Sequence, residues 1–404
     1  MSIADLINGQ KPEGVEEIVV AAMLSAARPF YFAGLQIHKT LYRKGWKKIH
    51  KLPCRVICMG NLTLGGSGKT PATIMATQML CDFGARVAIL SRGYKRAKKT
   101  KEPVIVSDEN RLLASPAESG DEPFLLARSL PGTPVIVCAD RYQGGMEAIK
   151  RFKPDIIILD DGFQHWRLAR DCDIVCIDSC QPLKNLKLFP RGALRETPAA
   201  LARAHAALFT RVDEPQKIAE QVQYIRSFNR TLPVFYLRYN LNECIPLSKG
   251  AAPLSAQDLE TKQVFLFCGI ARPESFFRLA AQHARRIAGT LALPDHVHYD
   301  KDCLRELSHA FSRTNADYLL TTEKDAVKLE SAGLPRIPVY YFRLNTQLLG
   351  ENASDEFLKI LLEGVKMKAR VRVGVLIVKK NKLLLIRHVN PSTGQEFWVT
   401  HGGG

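Results

Sequence analysis

The chain has 404 residues, 46% of them hydrophobic and 24% charged, with a formal net charge of +17. That balance excludes a disordered or collagen-like chain and leaves room for two or three domains around a substantial core. The excess of Lys and Arg asks for an anionic partner, but no RNA- or DNA-module signature accompanies the basic clusters at 39–51, 92–101 and 366–387, so nucleic acid is not expected.

No cleavable signal peptide is expected, because Asp5, Glu13, Glu16 and Glu17 precede the first apolar run. That run, IVVAAMLSAARPFYFAGL (18–35), is interrupted by Arg28 and Pro29, which argues against a membrane-spanning helix. It leads into KTLYRKGWKKIHK (39–51), where Tyr42 and Trp46 lie among many cations. Such a segment suits an anionic membrane surface. A helix packed on the core, followed by a solvated basic tail, fits the composition equally well.

The strongest local signal follows. Residues 56–70 read VICMGNLTLGGSGKT, a short apolar strand entering a glycine-rich loop that closes on Lys69 and Thr70. Thr63, Leu64, Gly65, Gly66, Ser67 and Gly68 form a cradle whose backbone N–H groups can face a phosphate. Lys69 can reach the β/γ-phosphates, and Thr70 can hold Mg²⁺ as the next helix starts. The common pattern is G-x-x-x-x-G-K-[ST]; here Thr63 stands where its first glycine would be.

From residue 54 onward, apolar strands alternate with helical stretches. Strands are predicted at 54–60, 85–91, 134–139, 155–160, 173–178 and 205–210. Short runs apolar on both faces suit a parallel sheet covered on both sides, with ligands at the strands' carboxyl ends. PVFYLRYN (233–240) and PVYYFRLN (338–345) are near copies. They bracket a second α/β pattern with strands at 263–270, RIAGTL (286–291) and 317–322 and a helix near 274–286, and are expected to pair as a two-stranded connector. In DCDIVCIDSC, Cys172, Cys176 and Cys180 recur every fourth residue. They are read as buried small residues on one face of a strand rather than as a metal site, and the scattered free cysteines suggest a reducing compartment.

Asp160 and Asp161 end the strand of IIILDDGFQH (156–165), where paired carboxylates can bind Mg²⁺ directly or through water. Asp140 ends another strand in CADRY, and phosphoryl transfer to an alcohol needs a carboxylate near the acceptor hydroxyl. His296 in DHVHY stands beside Asp295, which could orient or tune it as a base. Arg92, Arg195 and Lys324 could meet phosphates, and Glu196 or Glu323 could support a metal or a sugar.

Taken in order, GNLTLGGSGKTP, SRGYKR, GDEP, ADRY, LDDGFQH, LRE, GIARPESFF, LPDHVHY and TTEKDAVKL resemble the tetraacyldisaccharide 4′-kinase (lipid A 4′-kinase) family over about residues 18–362. That family's loop also carries Thr at the position of Thr63. Leu293 and Val297 stand where its motif usually has Phe and His. The resemblance implies an α/β fold: a P-loop NTPase-like parallel-sheet domain and a second, smaller α/β domain joined by a two-stranded connector. The expected segments are a membrane-surface helical segment (1–50), a kinase domain (51–232), a second domain with connector strands (233–345), a helix (346–367) and a β-rich tail (368–404).

The activity implied is ATP-dependent phosphorylation of the 4′-hydroxyl of tetraacyldisaccharide 1-phosphate, giving lipid IVA, on the cytoplasmic face of the bacterial inner membrane. Asp140 would be the catalytic base, aided by His296. Residues 63–70 and Arg195 would bind ATP, and Thr70, Asp160, Asp161 and Glu196 would organise Mg²⁺. The partners implied are the lipid disaccharide and the membrane surface, with no obligate protein partner. Residues 370–404 resemble the opening of a Nudix hydrolase domain, RVGVLIVKKNKLLLIRH then WVTHGGG, with His401 where proline is common. The metal-binding glutamates of that box would lie beyond Gly404, so no hydrolysis is expected of this tail, which reads as a truncated unit.

Two other readings compete. A P-loop GTPase or metal-insertion chaperone would need a base-specifying motif such as N-K-x-D, and TTEKDAV does not match it. A non-catalytic nucleotide-binding protein at a membrane surface is the other.

Overall fold

β1 (Arg55–Asn61) lies near the middle of a 13-stranded sheet, between β5 (Ile156–Asp160) and β6 (Cys172–Asp178), both parallel to it. The structure is a computed structural model. It describes residues 7, 12, 14–94, 96, 100–248, 250–295, 297–332 and 337–365, and in the tail 378–379, 382–383, 385–389 and 396–400. The chain divides into two units, Met1–Glu363 and Gly364–Gly404. Within the second unit, Val378–Lys379 pairs with Lys382–Leu383, and Leu385–Val389 with Glu396–Thr400, both antiparallel.

On one side of β1 the order runs through β5 to β2 (Val87–Ser91), β4 (Val135–Val137) and β3 (Val104–Ser107). On the other it runs through β6 to β7 (Ala206–Thr210) and β8 (Val234–Pro246). All of these pairings are parallel except β3 with β4. β1, β2, β5, β6 and β7 are buried almost end to end, because helices cover both faces and no strand needs a polar side. The strand order reverses at β1, so the loop after it opens into the crevice where such sheets bind ligands.

β8 pairs antiparallel with β13 (Val339–Leu348), matching Asn240 with Asn345 and Leu237 with Leu348. The sheet continues from β13 through β12 (Tyr318–Thr322) and β10 (Gln263–Cys268) to β11 (Arg286–Ala292), all parallel, with the short β9 (Leu254–Ser255) beside β8. The two look-alike runs therefore join the halves of one continuous sheet.

Six helices position the groups discussed below: α1 (Val15–Arg43), α2 (Lys69–Asp82), α3 (Asp121–Ser129), α4 (Arg141–Phe152), α5 (Pro273–Ala281) and α6 (Glu323–Ala332). Arg128 on α3 ties the halves together, donating to Glu330 on α6 at 2.8 Å and to the Tyr341 hydroxyl at 3.1 Å.

Several details differ from the sequence expectations. Helix α1 continues through Arg28 and Pro29; on an exposed helix the arginine reaches water, and the proline forgoes one N–H without ending the helix. The helix is long and apolar enough to cross a membrane, and 6% of its most apolar window is buried in the protein. The predicted helix near 274–286 stops at Ala281, because the chain must turn into β11 by Arg286. Cys172 and Cys176 are buried in β6 as expected, but Cys180 lies beyond the end of the strand and is exposed. β3, α3 and a helix at Lys301–Ser312 were not predicted.

Candidate active site

The loop from Asn61 to Thr70 is held from outside. Asn61 donates through Nδ2 to the Thr63 carbonyl and to Ser67 Oγ, both at 2.8 Å. Leu64 N–H donates to the Ala193 carbonyl, and Arg195 N–H to the Leu62 carbonyl, each at 2.7 Å. On the other flank, Thr210 Oγ1 donates to the Ser67 carbonyl at 3.0 Å and the Tyr239 hydroxyl to the Gly68 carbonyl at 3.2 Å. Carbonyls drawn outward leave N–H groups to face the crevice, where α2 begins at Lys69 and adds the unpaired donors of its first turn. Gly68 takes a φ of +73°, and a Cβ there would sit 2.2 Å from the Tyr239 hydroxyl. Only glycine meets both demands.

The acidic pair faces this loop. Asp161, with a φ of +57°, accepts from one Arg195 nitrogen at 2.9 and 3.0 Å and lies 3.8 Å from Lys69 Nζ. Burial alone would raise its proton affinity, but Lys69 and Arg195 outweigh burial and hold the carboxyl below its ordinary range. Asp160 is 2% exposed, and Ser91 Oγ donates to its Oδ2 at 3.4 Å. Its Oδ1 is buried with no hydrogen-bond partner among the described residues. Burial first, then Glu122 and Asp161, pushes this carboxyl up to about 7.

An orphaned carboxylate oxygen with a second carboxylate beside it fits a hard divalent cation. Mg²⁺ is usually held by one or two carboxylates together with phosphates and water, and the acidic pair can supply those carboxylates. Thr70 is half-buried in the first turn of α2, on the same loop.

Asp140 N-caps α4, accepting at Oδ1 from Tyr142 N–H at 3.1 Å and Gln143 N–H at 3.4 Å, and its Oδ2 lies 2.7 Å from an Arg167 nitrogen. It stands at the carboxyl end of β4, on the same edge of the sheet as Asp160. His296, expected to aid it, lies outside the described residues.

Glu196, next to Arg195 in the chain, is held by two cations. Its side chain is 1% exposed; Lys39 of α1 lies 2.6 Å from Oε2, and Arg203 donates to Oε1 at 2.6 Å. With both oxygens engaged by cations, Glu196 ties α1 to this edge of the site. Tyr31 on the same helix face donates to the Arg195 carbonyl at 3.0 Å and packs edge-on against Phe189. The residues of α1 that turn inward, Tyr31, Leu35, Lys39 and Tyr42, recur at helical spacing.

Sequence reasoning missed four contributors. Gln164 donates to the Asn61 carbonyl at 2.9 Å and lies beside Arg195. Arg141 is buried next to the site, donating to the Ala139 carbonyl at 3.0 Å; burial first, then Arg92, pushes its guanidinium down to about 10. Arg211 and Tyr239 brace the phosphate loop. Gln164 and Arg141 stand inside quoted motifs, DDGFQH and ADRY, so a local signal existed; Arg211 and Tyr239 carry none.

Comparison with known proteins identifies the family. The family model described as tetraacyldisaccharide-1-P 4′-kinase matches residues 20–363. The tetraacyldisaccharide 4′-kinase of Syntrophus aciditrophicus is 38% identical over 355 residues, spanning 86% of this chain and 93% of that protein. That of Pelobacter propionicus is 37% identical over 311 residues, spanning 76% and 84%. The crystal structure of LpxK from Aquifex aeolicus in complex with ATP superposes with a TM-score of 0.67 at 31% identity, covering 85% of this chain and 99% of that one.

Proposed function

The chain belongs to the tetraacyldisaccharide-1-P 4′-kinase family, and from that premise we propose how its residues divide the reaction. It is an ATP-dependent kinase of lipid A biosynthesis, phosphorylating the 4′-hydroxyl of the tetraacyldisaccharide 1-phosphate. One observation carries the division: the loop 63–70 closes directly on the acidic pair, with Lys69 and Arg195 both turned to Asp161.

The loop N–H groups and Lys69 bind the ATP phosphates, and Arg195 orients Asp161. Thr70, Asp160 and Asp161 are the residues that would hold Mg²⁺. When bound, that ion neutralises charge developing on the transferred phosphoryl group. Asp140 receives the proton of the 4′-hydroxyl as the oxygen attacks the γ-phosphorus. Its Oδ2 is free to do so once Arg167 swings away. That arginine is 48% exposed, and an exposed ion pair is worth only about 0–1 kcal/mol.

The exposed apolar residues of α1 and the basic stretch after it support a location at the cytoplasmic face of the inner membrane, where the lipid substrate would be met. Lys44 over Trp46 and Lys47 over Tyr42 pair cations with rings suited to that boundary. We also propose that the chain is organised as a kinase domain (51–232) and a second α/β domain (233–345).

The test is incubation with γ-labelled ATP and the tetraacyldisaccharide 1-phosphate, reading label in the lipid. Asp140→Ala should lower kcat by roughly 10²–10⁴-fold while ATP still binds, the range for loss of a general base. A near-normal kcat would remove Asp140 from that role.

A further inference from the structure

Asp178 ends β6 beside the phosphate loop and is 4% exposed. Its Oδ1 accepts from Cys180 N–H at 3.0 Å. Its Oδ2 takes two guanidinium groups, Arg211 at 2.8 Å and Arg272. The two arginines come from opposite halves of the sheet. Arg211 follows β7, with a φ of +58°; Arg272 is the residue before α5, which packs on β10 and β11. Arg211 also donates to the carbonyl of Gly66, inside the phosphate loop, at 3.1 Å. The two halves also come near each other at the loop: a Cβ on Gly65 would lie 3.8 Å from that of Ala271. Arg278, further along α5, reaches Cys180 Sγ at 3.9 Å.

We propose that Arg272, Asp178 and Arg211 form a positioning relay through which the C-terminal half of the protein sets the phosphate loop for ATP. The relay rests on the reading of residues 63–70 as the ATP phosphate cradle. Its logic is electrostatic and geometric. A buried carboxylate beside the cradle would repel a polyphosphate, and Arg211 alone only neutralises it. Arg272 brings the local sum to one positive charge, which favours the polyphosphate. Arg211, clamped by Asp178, holds the Gly66 carbonyl away from the crevice, so the neighbouring N–H groups stay turned toward the phosphates. Removing Arg272 frees Arg211 to reorient around Asp178 and loosens that carbonyl. None of the three residues needs to touch the acceptor sugar.

The relay therefore predicts a split between the two substrates. In the full-length enzyme, Arg272→Ala should raise the KM for ATP about tenfold, within the usual 5–150-fold range of coupling between sites. The KM for the lipid should not move. Arg272→Lys, which keeps the charge, should recover most of the loss. Asp178→Asn adds one positive charge but releases Arg211 from its clamp, and the loosened Gly66 carbonyl should outweigh the added charge and raise the ATP KM as well; the double variant Asp178→Asn/Arg272→Ala should be no worse than the poorer single variant, because the two act as one unit. Should Asp178→Asn fail to fold, the Arg272 pair decides alone, since that side chain is 23% exposed.

An unchanged ATP KM in a folded Arg272→Ala enzyme, or equal rises in both KM values, overturns the relay. Lys69→Met serves as the control. If it too leaves ATP binding unchanged, the cradle reading itself fails; if it abolishes binding while Arg272→Ala has no effect, the relay alone fails.

Discussion

Glu196 separates a metal ligand from a structural anchor, and Glu196→Gln tests which it is. The carboxylate is buried between two cations, each 2.6 Å away, whose side chains are 12% and 22% exposed. A hydrogen bond to a charged group contributes about 1.5–3 kcal/mol. Breaking a buried ion pair costs about 3–5 kcal/mol when the remaining charge is stranded. Here Lys39 and Arg203 keep some water and the amide keeps some hydrogen bonding, so a loss of about 2–4 kcal/mol is expected. At about 2–4 °C per kcal/mol for 150–250 residues, and somewhat less for a larger body, Tm should fall by several degrees.

Burial would raise the Glu196 carboxyl, but Arg203 and Lys39 outweigh it and hold it below the ordinary range. A lowered folded-state pKa gives stability that is present above the unfolded value and lost as pH falls through the folded one. The gap between the two proteins should therefore be full at pH 7 and close as pH falls below about 4. The assays are thermal melts from pH 7 to pH 3.5 and a Mg²⁺ titration of activity. An unchanged Tm with a raised Mg²⁺ requirement would refute the anchor and return Glu196 to the metal.

His165 should make stability fall in mild acid. Burial first, then Arg141 and Arg170, pushes it down to about 4, so the unfolded chain takes up a proton near pH 6.5 that the folded protein refuses until about pH 4. Discounted for partial exposure, the loss between pH 8 and pH 5 is on the order of 1–2 kcal/mol, and His165→Asn should flatten that slope in denaturant melts; an equal slope in both proteins would exclude His165 as its source. On α1, Met23 and Phe30 are 67% and 79% exposed. Met23→Glu/Phe30→Glu should cut partitioning onto anionic phospholipid vesicles by at least about 100-fold, since burying each such side chain contributes about 1.5–3 kcal/mol, while ATP binding stays intact; unchanged sedimentation with vesicles would remove this face from membrane contact.

Much of the site could be read from local sequence because its parts are short and contiguous. The glycines of the loop, Lys69, Thr70 and the Asp160–Asp161 pair each need only a strand end and a turn, and β1 and β5 supply both. The strands were legible for the same reason: buried parallel strands are unbroken apolar runs. Element ends were harder, as α5 shows, since the stop at Ala281 is set by where β11 must start in the sheet. The path of α1 through Pro29 was misread because an interior proline, which loses one N–H and crowds the carbonyl four residues back at about 3 kcal/mol, is a cost a long helix can carry.

By itself, the sequence determined the α/β alternation, the phosphate loop with threonine in place of its first glycine, and the order of motifs that marks the family. Only the tertiary structure decided the partners of the charges. It brought Glu196 to Lys39, 157 positions earlier, and gathered Arg211 and Arg272 on one oxygen of Asp178. The reason is physical. A loop that grips phosphate is specified by the backbone freedom and side chains of its own few residues, whereas a buried charge is satisfied by whichever opposite charge the packed sheet carries to it.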